Sequence, residues 1–103
     1  MAAIAQSVFT PDTAVGTSVG SSSAAVALPG TPASDTTLRV ANVGNNPIYV
    51  KLGTTNAVTV TNGTGLCIMP GDKEYLGIGS NTYIAMTTGT PGTSSTVNLT
   101  TGS

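Results

Sequence analysis

A chain of 103 residues holds one domain at most, and this one carries seven charged side chains and no histidine. Three basic residues against four acidic ones give a net charge of −1, so binding to a phosphate backbone or an anionic membrane has no electrostatic driving term. Without histidine, Ser-His-Asp and Cys-His nucleophiles and the common zinc sites are excluded as well.

The rest of the composition predicts a thin core. Thr, Ser, Gly and Ala dominate, Trp is absent, and the aromatics are Phe9, Tyr49, Tyr75 and Tyr83. Small side chains bury little area at about 25 cal/mol per Å², whereas ordering the backbone costs about 1–2 kcal/mol per residue. Burial against a second copy or another protein is the expected remedy. Cys67 is alone, so no intrachain disulfide forms. MAAIAQSVFT lacks the basic segment and apolar stretch of a signal peptide, and no apolar run is long enough to span a membrane, so synthesis in a cytoplasm is expected.

Residues 1–36 read as an N-terminal arm or edge strands. AAVALP alternates Val26 and Leu28 with alanines, as a strand does. TAVGTSVGSSS alternates weakly, and its glycines and serines leave the register poorly fixed. Phe9, Val15 and Val19 are more apolar than a linker requires, which marks them as candidate contacts with a neighbour. A loose terminus is the competing reading.

Residues 37–103 read as a β-sandwich domain. In TLRVANV, Leu38 and Val40 share one face and Arg39 and Ala41 the other; in IYVKLG, Ile48, Val50 and Leu52 alternate with Tyr49 and Lys51. This period of two predicts half-buried strands, and Gly44-Asn45-Asn46-Pro47 between them predicts a hairpin. AVTV (57–60), LCIM (66–69), EYLGI (74–78), TYIAMTT (82–88) and STVNLTT (95–101) follow as further strands, with Pro70-Gly71 as a type II turn. No window holds helical spacing for three turns. Short strands separated by turn signals predict an all-β fold, a small antiparallel β-sandwich or jelly roll with an extended N-terminal arm.

Little in these elements is reactive. Asp72 and Glu74 share a strand face, but Lys73 between them and Pro-Gly before them make them solvated turn charges rather than an acid–base pair or a calcium loop. Cys67 between Leu66 and Ile68 reads as a buried, inert side chain. The chain is therefore expected to be no enzyme, with no catalytic residue, cofactor or metal ligand. Tyr49, alternating away from Ile48 and Val50, pairs with Lys51 and Arg39 on what reads as one sheet face, a candidate contact surface; a half-buried strand aromatic is the plainer alternative. The candidate interface is thus Phe9, Val15, Val19, Arg39, Tyr49 and Lys51.

LRVANVGNNPIYVKLGTTNAVTVT, LCIMPGDKEYLGIGSNTYIAMTTG and STVNLTTG resemble a group of small virion proteins of tailed bacteriophages, of the capsid decoration (cement) or head-fibre type. The resemblance covers residues 37–103. It implies a homo-oligomer, dimer or trimer, on the capsid surface of a virion made in a bacterial cytoplasm. Its partner would be the major capsid protein, with no direct nucleic-acid or membrane contact. The alternative is a receptor- or carbohydrate-binding module of a phage fibre or tail, since tyrosines flanked by Asn and Thr suit sugar stacking and hydroxyl hydrogen bonds.

Overall fold

The period-two pattern produces eight strands among residues 9–30 and 35–103, which the structure, a computed structural model, describes. They are β1 (Pro11–Val19), β2 (Ala24–Ala27), β3 (Thr37–Asn42), β4 (Ile48–Gly53), β5 (Leu66–Ile68), β6 (Lys73–Gly77), β7 (Tyr83–Thr87) and β8 (Ser95–Gly102). In β3 every second residue, Leu38, Val40 and Asn42, is buried; in β8, Val97, Leu99 and Thr101 point the same way. Pro70-Gly71 forms the expected type II turn, with Gly71 at φ +85° and the Asp72 amide bonded to the Met69 carbonyl at 3.0 Å.

All strand pairs are antiparallel. β1 pairs with β8, β2 with β7, β3 with β6 and β4 with β5, which makes one long ribbon of strands 1–4 laid against strands 8–5. The ribbon is rolled so that β8 also meets β3 and β7 also meets β4. Two four-stranded sheets result, β1-β8-β3-β6 and β2-β7-β4-β5. This is the jelly-roll winding of a β-sandwich. Between the sheets lies an aliphatic cluster that includes Leu38, Val40, Ile48, Val50, Ile84 and Leu99, with no aromatic ring in it.

Three expectations are corrected. The hairpin over Leu38–Gly53 does not form: β3 and β4 belong to opposite sheets, and the Gly44–Pro47 turn crosses the sandwich. Asn42 explains why the chain leaves its own sheet there. Its Nδ2 donates to the Ile68 carbonyl of β5 (2.9 Å) and to the Asn46 carbonyl (2.8 Å), while its Oδ1 accepts from Ser95 Oγ of β8 (2.7 Å). A buried amide with these partners pins the corner to both sheets.

The second correction concerns AVTV, which joins no ladder. Residues 54–65 instead form a strap over the outer face of the β2-β7-β4-β5 sheet. Val60 is buried outside the central cluster, and its amide donates to Ser23 Oγ at 3.0 Å. Gly65 permits the close approach, because a Cβ there would collide with Val60 Cγ2 and meet Tyr49 Cβ at 3.0 Å. The third is Cys67, which is exposed: in LCIM only Ile68 faces the core, and Leu66 and Met69 are exposed too.

The boundary at residue 37 divides neither sheet. β1 and β2 are edge strands, and β1 runs in register along β8 from Thr13 opposite Thr101 to Val19 opposite Ser95. The first eight residues, which belong to the expected arm, lie outside the described residues.

Candidate functional site

Arg39 sits mid-strand on β3, between Leu38 and Val40, whose inward side chains leave it no direction but the outer face. Across the ladders it faces Tyr75 on β6 and Thr100 on β8. Its Nη2 makes a long hydrogen bond of 3.3 Å to Asn98 Oδ1, an oxygen that already accepts from Thr100 Oγ1 at 2.7 Å. Its Nε is buried and has no partner. Of the five donors on a guanidinium, one bonds another side chain among the described residues.

Tyr75 is half exposed and carries an aromatic neighbour. Phe9 packs against it edge to face, with ring centres 5.4 Å apart and planes at 69°. Phe9 is held there by the chain termini: the Thr10 amide donates to the Ser103 carbonyl at 2.8 Å and the Ser103 amide to the Thr10 carbonyl at 3.2 Å. The ring also lies over Gly102, where a Cβ would be 3.1 Å from Phe9 Cε1.

The result is a charged planar fork across from Tyr75, which carries Phe9, on a sheet face that also holds Lys73, Ala41, Asn98 and Thr100. Such a fork takes a planar carboxylate in bidentate geometry where its donors are accessible. Among the described residues no three His, Cys, Asp or Glu side chains gather as metal ligands do.

The six residues singled out from the sequence do not make one patch. Phe9 and Arg39 converge on this face, through Tyr75. Val19 is 2% exposed and belongs to the core, because it faces Ser95 from the inward side of β1; it has no surface to offer a partner. Val15 is exposed on the free edge of β1. Tyr49 and Lys51 lie on β4 in the other sheet, so the expectation that they share a face with Arg39 fails. Sequence reasoning needed the β3–β6 pairing to place Tyr75 beside Arg39, and no local signal carries it.

The two free edges of this sheet differ. β6 carries Lys73 and Glu74, charges that discourage strand addition. From Thr13 to Val19, β1 has no charge and no proline, and among the described residues its one partner is β8. A second feature lies on the far side of the sandwich, where the strap and the turn before β2 enclose a groove of about 420 Å³ lined by Ser21, Ser23, Thr59, Thr61, Asn62 and Thr87.

Comparison of the chain with family models, curated proteins and solved structures finds no match.

Proposed function

We propose that the protein is a non-enzymatic structural component of a tailed-phage particle, a decoration protein that binds the outside of the head and stabilises it. The observation that carries this reading is the Arg39 site: a guanidinium with one long hydrogen bond among the described residues, set across from Tyr75 and its Phe9 neighbour on the outer face of the sheet. Such a surface is built for docking to an acidic group on another protein rather than for turning over a substrate. The Thr13–Val19 stretch of the β1 edge, which has no charge, supports it, since main-chain hydrogen bonds there would attach an extended segment of a neighbour. So does the resemblance of residues 37–103 to phage virion proteins. Many weak contacts repeated over a shell add up through effective concentration and so oppose internal pressure.

The test uses particles stripped of the protein and reloaded. Reloaded heads should retain DNA at temperatures where stripped heads release it, and Arg39→Glu protein should fail to reload. Equal survival of stripped and reloaded heads would sink the stabilising role. A second reading, a glycan- or receptor-binding module of a fibre or tail, is favoured by the hydroxyl-lined groove. Electron microscopy separates the two: density over the head supports the first, density at the tail tip the second.

A further inference from the structure

We infer that Asp12, Asp35, Thr13 and Thr101 form a binding site for a divalent cation of the calcium class. The starting point is Asp35, just before β3, which is 6% exposed and whose Oδ2 is buried without a hydrogen-bond partner. A buried carboxylate oxygen is normally paired or coordinated. This one is aimed at a cluster of further oxygens.

Gly30 (φ +77°) borders that cluster. A Cβ at this position would lie 2.8 Å from Thr101 Oγ1, 2.9 Å from Asp35 Oδ2 and 3.1 Å from Thr13 Oγ1. Three oxygens from three separate segments thus converge beside Gly30, where any side chain would collide with them. Thr101 Oγ1 donates its proton to the Pro29 carbonyl at 2.9 Å, so it turns lone pairs to its other neighbours.

Asp12 supplies the second carboxylate. The β1–β8 register slips between Pro11 and Thr13, and a bulge of this kind re-aims the extra side chain. The carboxyl of Asp12 comes within hydrogen-bonding reach of that of Asp35, whose like charge raises the Asp12 pKa. Among the described residues no cationic side chain answers this pair: Lys51 is on the other sheet, Lys73 is on the far edge strand, and Arg39 bonds to Asn98. Two adjacent carboxylates with hydroxyl and carbonyl oxygens, and no nitrogen or sulfur, suit a hard cation with water completing its shell. Few charged ligands place the affinity at roughly 10⁻⁴–10⁻³ M. A bound cation would tie β1, the segment before β3 and the end of β8 together.

The experiment is thermal melting of the chelator-treated full chain with CaCl₂ added to about 5 mM at neutral pH. The melting temperature should rise saturably by about 5 °C. Asp35→Asn removes the repulsion as well as a ligand, so it should melt no lower than the metal-free parent and lose the calcium response. Asp12→Asn, at an exposed position, should lose the response too. No rise in the parent chain overturns the site, as does an undiminished rise in either variant. A parent indifferent to calcium but stabilised by mild acid would assign the pair to a shared proton and overturn it equally.

Discussion

Asn42 of β3 bonds across the sandwich to Ile68 of β5, Nδ2 to carbonyl oxygen at 2.9 Å. The same side chain holds Ser95 Oγ at 2.7 Å, so one buried amide couples the two sheets at the corner where the chain passes between them. Asn42→Ala would leave a buried carbonyl and a buried hydroxyl without partners. The expected loss is about 2–3 kcal/mol, read as a fall of about 10 °C or more in melting temperature. An Asn42→Ala protein as stable as the parent would mean that the corner is held by something else.

The strap over the second sheet depends on Gly65. Gly65→Ala sets a methyl group against Val60 Cγ2 and Tyr49 Cβ, and the strap must lift. Its signature is local: the Val60 amide, now bonded to Ser23 Oγ, should lose protection from hydrogen exchange while Val40 and Leu99 in the core keep theirs. Unchanged exchange at Val60 would show that the strap tolerates the methyl group.

The uncharged Thr13–Val19 stretch of the β1 edge makes a separate prediction. Val15 is 41% exposed there, and Val15→Lys places a charge on the strand edge with little core to disturb. Stability should change by no more than about 1 kcal/mol. Self-association by sedimentation velocity, or binding to stripped heads, should fall several-fold. Retention of both would remove β1 from the docking surface.

Asp12 gives the protein a defined response to pH when a chelator is present. The charge of Asp35, then the hydrogen bond between the two carboxyls, holds the Asp12 pKa above its ordinary 3.8. A pKa raised by folding means that the folded state binds the proton more tightly. The stabilisation is fully present below the unfolded value and is lost as pH rises through the folded one. Urea denaturation in chelator should therefore find this contribution at acid pH and not at neutral pH, and Asp12→Asn should flatten the difference.

How much of this was legible before the structure can be followed residue by residue. Leu38, Val40, Ile48, Val50, Val97 and Leu99 were assigned their shared faces from spacing alone, and all are buried. A side chain's face follows from the two-residue repeat of its own strand, which is local information. The choice of partner strand is not local. LRVANVGNNPIYVKLG has the pattern of a hairpin, yet its two strands separate, because Asn42 finds partners on β5 and β8 that lie far along the chain.

The same reason divides the functional reading. Composition alone showed a polypeptide with no histidine, one cysteine and seven charges, built largely of small and branched side chains. Which of those few polar groups would meet was decided only by the rolling of the ribbon. It set Arg39 beside Tyr75, sent Tyr49 and Lys51 to the opposite face, and brought Asp12 up to Asp35. Alternation along a strand is written in neighbouring residues. Contact between strands is written in the competition of every edge for every other, and that is resolved only when the whole chain packs.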